Sequence, residues 1–285
     1  MLAVGLALAS SFAWGLADFG AGLKSRRFAV LTVLLISQVG SLPLVVAVVA
    51  VRGAGPPEDS SFAVLAFLAG ASGTVGIAAF YRALAVGTMS VVAPISATAA
   101  VLPLTVGVVS GERPSAVQGL GVALALVGVV LASREAAAAA EGARSRSRTG
   151  AGVGLALVAA LGFGGFFVGI DAASARGDEY WAILVQRITS LVLVAAVALR
   201  ARPQLRVGLP ETGALVAIGV ADAVANTLFA LASTRGLVSV VGILGSLYPV
   251  ITILLAWTVL RERLAPAQWA GVGGALGGVA LIAGG

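Results

Sequence analysis

The sequence contains no cysteine and no histidine. Disulfide frameworks, zinc sites, thiol nucleophiles and imidazole bases are excluded together, and no metal or other cofactor is expected. Any chemistry must use carboxylates, Arg, hydroxyls, amides and aromatic rings. Charge is also scarce: 11% of residues are Asp, Glu, Lys or Arg, against about 25% in ordinary soluble domains. That leaves too little polar surface to coat a water-soluble particle. No G-x-x-x-x-G-K-[ST] loop is present to cradle nucleotide phosphates. What is abundant is apolar: 59% of the 285 residues, with a mean hydropathy of +1.06. The chain reads as an integral membrane protein with the lipid bilayer as its first partner. The net charge of +6 is better met by anionic headgroups beside short Arg-bearing loops than by nucleic acid.

A helix needs about 20 apolar residues to cross the hydrocarbon core. Ten such runs can be marked, at 2–22, 28–51, 61–85, 90–110, 115–133, 151–171, 180–200, 211–234, 239–260 and 266–284. Most connections are a few residues long. The exception is 134–149, where Arg and Ser alternate with no apolar face, and it reads as a solvated linker. The expected organisation is a first five-helix repeat at 1–133, a basic linker at 134–149 and a second repeat at 150–285. Lys24, Arg26 and Arg27 follow the first apolar run instead of preceding it, which argues against a cleavable signal peptide. The Ala, Gly and Val bias fits a GC-rich bacterial genome, so the expected location is a bacterial cell membrane, crossed many times.

The stretch 236–282 occurs twice. Glu112, Arg113, Gln118, Gly121 and Gly128 recur as Glu262, Arg263, Gln268, Gly271 and Gly278 at one spacing, while Gly87 and Ser90 recur as Gly236 and Ser239 one residue closer. The match extends further: Ser37-Gln38 and Ser41-Leu42 resemble Gln186-Arg187 and Ser190-Leu191, and Trp14-Gly15 resembles Phe163-Gly164. Five runs on either side of one linker turn the second half upside down relative to the first. Inverted repeats of this kind build transporters, with substrate near the midplane and alternating access by rocking of one half against the other. The expected fold is therefore an all-α membrane protein of ten transmembrane helices in two inverted five-helix repeats.

Asp222 lies about 12 residues, or roughly 18 Å, from either end of the eighth run. A carboxylate at that depth is costly unless it is paired or faces water. With Asn226 one turn on, it reads either as the lining of a substrate cavity or as an interhelical hydrogen bond. Asp18 shares a face with Trp14 and sits six residues before Lys24, so a cavity role and a headgroup-level pair with Lys24 or Arg26 both fit. Arg187, early in the seventh run, could snorkel to the interface or meet a substrate carboxylate or a buried Asp. Tyr81 and Thr74 share a face of the third run, Phe163 and Phe167 one of the sixth. Such aromatics suit amphiphilic or cationic solutes, or simply pack. Pro103 and Pro249 each remove a backbone hydrogen bond in mid-membrane, and paired interruptions of two halves point to a binding site, with Ser96, Thr98 and Tyr248 the nearest polar side chains. Glu112-Arg113 and Glu262-Arg263 read as structural corners in which each acid pairs with its basic neighbours. The closely spaced glycines, such as Gly273, Gly274, Gly277 and Gly278, fit close helix contact, either within the chain or in a homodimer.

Ten runs in two halves, Trp14-Gly15 within the first, G-E-R then Q-x-x-G at 111–121 and R-E-R-L-x-P-x-Q-x-x-G at 261–271 together resemble the drug/metabolite transporter superfamily, in particular its EamA-type members. The resemblance covers nearly the whole chain. It implies a central cavity lined by runs 1, 3, 4, 6, 8 and 9 and carriage, often export, of small metabolites such as amino acids, sugars or drug-like compounds. Gln38 stands where that pattern would pair an Arg with Arg187, and Asp18 is the nearest acid to the first-run Glu of the superfamily's four-helix members. The resemblance also implies that both termini are cytoplasmic. Basic residues argue the other way, with thirteen in the connections after odd-numbered runs against four on the opposite face. The expectation here follows the family. The leading function is a secondary transporter, an exporter or exchanger, and not an enzyme. The alternatives are a lipid-modifying membrane enzyme, for which the acids are too scattered, and a non-catalytic scaffold.

Overall fold

A computed structural model describes residues 1–25, 27–86, 95–134, 146–259 and 265–284. Eleven helices follow one another along these residues: α1 (Leu2–Ser25), α2 (Val30–Arg52), α3 (Ser61–Val86), α4 (Val101–Val109), α5 (Ala116–Arg134), α6 (Arg146–Arg176), α7 (Glu179–Ala201), α8 (Leu209–Ser233), α9 (Val238–Gly245), α10 (Tyr248–Val259) and α11 (Pro266–Gly284). There is no strand among the described residues. Among the described residues, seven stretches are long and apolar enough to cross a membrane: α1, α2, most of α3, 152–176 within α6, α7, α8, and α9 with α10 taken together. Ile95–Val109 and Ala116–Leu131 are apolar but shorter. Large apolar side chains such as Phe12, Phe67, Leu161 and Leu276 stand exposed on the helix flanks, as a lipid environment permits and water does not.

The fourth and ninth runs are interrupted where Pro103 and Pro249 were expected to act. A 3₁₀ turn at Thr98–Ala100 leads into α4, and Pro103 is its third residue. α9 ends at Gly245, a turn follows, and α10 restarts at Tyr248 with Pro249 second. Proline near a helix start loses no hydrogen bond that the start would have made, which suits Pro249; Pro103 sits inside the helical stretch Ile95–Val109, just after its 3₁₀ turn. One boundary differs from expectation. α6 begins at Arg146, inside the stretch read as linker. Extending a formed helix by a few residues is far cheaper than nucleating one, which lets polar residues join it.

The repeated motif is explained by local chemistry. Ser115 opens α5: its N–H donates to Gln118 Oε1 at 3.0 Å, and the Gln118 N–H donates to Ser115 Oγ at 3.1 Å. This reciprocal cap satisfies two N–H groups that the helix start leaves free. In the second copy the Ala265 N–H donates to Gln268 Oε1 at 2.9 Å, and Ala265 has no side-chain oxygen to return the bond. The repeated glycines meet crosswise. A methyl group added to Gly121 would strike the Gly278 carbonyl, and one added to Gly128 would strike that of Gly271. The glycine face of α11 is thus occupied by α5.

Packing follows the repeat. α3 lies along α6 and α1 along α8; α5 pairs with α11, α2 with α7, and α4 with α9. Exchanging the halves turns the α1–α8 pair into the α6–α3 pair and maps the other three onto themselves. Neighbours in sequence touch little: α1 with α2, and α2 with α3, are minor contacts. The sequence halves are therefore interleaved, and rocking one half against the other would break the most extensive contacts. By contact the helices fall into two composite bodies, α1, α2, α8, α9 and α10 on one side and α3, α4, α6 and α7 on the other. Ion pairs tie the connections at each end. Arg52 reaches Asp178 at 2.7 Å and lies 4.0 Å over the Tyr180 ring, and Arg235 reaches Glu179 at 2.9 Å. Lys24 pairs with Glu211 at the opposite end.

Candidate functional site

Asp222 and Asn226 are one turn apart on α8 and so share a face. Arg187 of α7 is 2% exposed, and its Nη2 donates to Asp222 Oδ2 at 2.7 Å. Asn226 Nδ2 donates to the same oxygen at 3.3 Å, and its own Oδ1 accepts from Trp14 Nε1 of α1 at 3.0 Å. A guanidinium this deep is tolerable only with a counter-ion, and a buried pair repays its desolvation only when further hydrogen bonds complete it. Asp222 keeps 26% of its side-chain surface open, because it borders a hollow. A second polar chain lies nearby. Gln38 Nε2 of α2 donates to Ser190 Oγ of α7 at 2.7 Å, the Ser190 and Thr74 hydroxyls are 2.7 Å apart, and Thr74 donates to the Gly70 carbonyl at 2.6 Å.

The hollow lies between the two composite bodies. It is partly open to the exterior and takes its lining from α1, α2, α3, α6, α7, α8 and α10. Trp14, Phe163, Phe166, Phe167 and Tyr248 supply an aromatic wall; Asp18, Gln38, Gln186, Arg187, Ser190, Asp222 and Asn226 supply the polar one. The rings brace each other, with Trp14 and Phe167 centroids 5.5 Å apart and Phe167 stacked on Phe229 at 4.6 Å. Four buried polar atoms around the hollow have no partner: Gln38 Oε1, Gln186 Oε1, Arg187 Nε and the Tyr248 hydroxyl. Buried polar groups are nearly always satisfied, so these four make the hollow a candidate place for water or a solute.

The structure brings Trp14, Asp18, Phe163, Asp222, Asn226 and Tyr248 together on this hollow. Tyr81 lies with Asp18 on an adjoining smaller one, within hydrogen-bonding reach of its carboxyl group. Asp18 lines the hollow and Lys24 pairs with Glu211, while Arg26, the other basic partner expected for Asp18, lies outside the described residues. Ser96 and Thr98 do not join them. Ser96 is fully buried elsewhere, and exposed Thr98 donates to the Ile95 carbonyl at 2.6 Å beside a separate apolar hollow. Nor do Pro103 and Pro249 line the hollow. Glu112 is a corner, but its partners are the Val238 and Ser239 N–H groups and not an arginine; Arg113 is exposed without an ion pair among the described residues. Glu262 and Arg263 lie outside the described residues.

The sequence reading passed over Gln38, Gln186, Ser190 and Phe166 as site residues. A signal was available: Ser37-Gln38 and Gln186-Arg187 are amides at matched places of two apolar runs, where an uncompensated polar group is expensive.

The EamA-like transporter family matches this sequence twice, over residues 1–134 and 150–284. The chain belongs to the EamA-like transporter family. It is a multi-pass membrane protein of a transporter family. A solved structure, titled only as the crystal structure of a protein, shares its fold with a TM-score of 0.76 at 20% identity, covering 98% of this chain and 95% of that one. No curated protein matches the sequence. In this EamA-like chain α2 and α7 add lining residues to those implied by the resemblance, and the fourth run adds none among the described residues.

Proposed function

We propose that this EamA-like chain is a secondary transporter, an exporter or exchanger of a small metabolite such as an amino acid, sugar or drug-like compound. It would work by alternating access in the cytoplasmic membrane, as ten helices in two inverted five-helix repeats. The hollow at Asp222 is the proposed substrate site, with Trp14, Asp18, Tyr81, Phe163, Asn226 and Tyr248 as the residues that recognise the solute. The observation that carries this reading is the cluster of four unpaired buried polar atoms between two composite helix bodies. Water or a solute must supply their partners, and a carrier needs a site that alternates between the two. Ion pairs at both ends, Arg52–Asp178 and Lys24–Glu211, are exposed enough to open at little cost.

Counterflow in proteoliposomes tests the reading. Vesicles loaded with a mixed metabolite pool should exchange at least one labelled solute well above protein-free vesicles. No exchange with any pool, together with product formed from lipid, would replace the transporter with a membrane enzyme. Orientation is tested separately by fusing reporters to the C-terminus. A cytoplasm-active reporter should give signal, and signal only from a periplasm-active one would reverse the proposed topology in favour of the distribution of arginines.

A further inference from the structure

We infer that the hollow is built to take a primary organic amine in its ammonium form, carried on an apolar or aromatic body. The inference rests on the hollow being the substrate site, and three observations support it.

The charge of the lining comes first. Among the described residues, the charged side chains on this hollow and the smaller one beside it are Asp18, Asp222 and Arg187. Asp222 and Arg187 neutralise each other at 2.7 Å, while Asp18 has no Lys or Arg within 4.0 Å among the described residues. Asp18 is thus the one acid on these two hollows, among the described residues, whose ionised form has no counter-cation. In a low-dielectric interior that lack is costly, and a monovalent cation removes it.

Hydrogen bonding narrows the cation. Gln38 has its amide nitrogen committed to Ser190, which leaves its oxygen without a donor, and the Gln186 oxygen is likewise unmet. With the Asp18 carboxylate these are acceptors contributed by α1, α2 and α7. A primary ammonium offers three N–H donors and a quaternary ammonium none. The remaining unpaired atoms, Arg187 Nε and the Tyr248 hydroxyl, call for an uncharged oxygen on the solute or a water.

The rings fix the rest. Trp14, Phe163 and Tyr248 stand on the same hollow as the acids, so they can receive an apolar body and add a cation–π term. A zwitterionic amino acid fits less well. Its carboxylate would compete with Asp222 for Arg187 and return the site to net negative charge.

Titration calorimetry of the purified full-length protein in detergent micelles tests this with four probes of one shape: phenethylamine, neutral 2-phenylethanol, zwitterionic phenylalanine and the quaternary phenethyltrimethylammonium. Phenethylamine should bind about tenfold or more tighter than each of the others. Asp18→Asn should weaken phenethylamine by about 30-fold or more and leave 2-phenylethanol unchanged, with Asp18→Glu recovering part of the loss. Equal or tighter binding of the alcohol would mean that a proton and not a ligand neutralises Asp18, which overturns the inference. So would tighter binding of phenylalanine, unchanged amine affinity in Asp18→Asn, or no binding of any probe. Counterflow of the same probes separates this inference from the transporter reading. Exchange of phenylalanine without amine binding removes the ammonium preference and keeps transport; Asp18-dependent amine binding with no exchange of any solute keeps the preference and removes transport.

Discussion

Replacing Asp222 by Ala should abolish counterflow and lower the stability of the purified protein by about 3–5 kcal/mol. The size follows from what is left behind. Arg187 is 2% exposed and its ion pair is with Asp222, so the variant buries a guanidinium without that counter-ion. The reciprocal change should be milder. Arg187→Met leaves a carboxylate that already has 26% of its side-chain surface open to the hollow, where water can solvate it, and Asn226 still donates to it at 3.3 Å. Combining the two changes removes both charges and should restore most of the stability, as replacing a whole buried pair by apolar groups commonly does. Transport should not return in the double variant, since the polar wall of the hollow has lost its charged pair. Thermal unfolding in detergent reads the first quantity and counterflow the second. Normal exchange by Asp222→Ala at wild-type stability would remove the pair from both structure and mechanism, and equal destabilisation by the two single changes would contradict the asymmetry of burial.

Much of the fold could be read in advance because membrane helices announce themselves by length and composition. Most described residues of the ten apolar runs are helical, the ninth run being broken between Gly245 and Tyr248. The repeat told which residues are equivalent, but it could not tell which ones touch. That Gly121 meets Gly278 and that α1 lies along α8 are properties of packing, and packing makes the sequence halves interleaved bodies. The candidate site was half legible. Asp222, Asn226 and Trp14 were visible because a carboxylate, an amide and an indole stand out in apolar runs. The Arg187–Asp222 bond joins two helices through 35 residues of chain, and sequence alone left Arg187 with three destinations, the interface, a substrate carboxylate and a buried Asp. Ser96 and Thr98 were misplaced for a definite reason. They were assigned by nearness to Pro103, but a helix rotates by about 100° per residue and the 3₁₀ turn at Thr98–Ala100 changes that rotation.

Glu112 carries the second large expectation. α9 is buried from end to end, and its N-cap residue Leu237 has no side-chain acceptor. The first N–H groups of a helix have no partner within it, and burying them unpaired is costly. Glu112, 126 residues away on the α4–α5 corner, supplies both oxygens: Oε1 accepts from the Val238 N–H at 2.7 Å and Oε2 from the Ser239 N–H at 3.0 Å. The corner is shaped for this. Gly111 takes φ +98, which other residues rarely adopt, and a methyl group on Gly107 would collide with the Glu112 carboxylate. Glu112→Ala should therefore leave two buried donors unpaired and cost about 2–4 kcal/mol, and Glu112→Gln, which keeps one acceptor, about half of that. Gly107→Ala should resemble the Gln variant by displacing the carboxylate without altering it. Because α9 leads directly into Tyr248 on the wall of the hollow, solute affinity should fall along with stability in all three. Hydrogen exchange at residues 238–241, read beside the melting temperature, localises the effect. Wild-type protection of those amides in Glu112→Ala would show that something else caps α9, and the acid that best marks the repeat would then have no structural task at that helix.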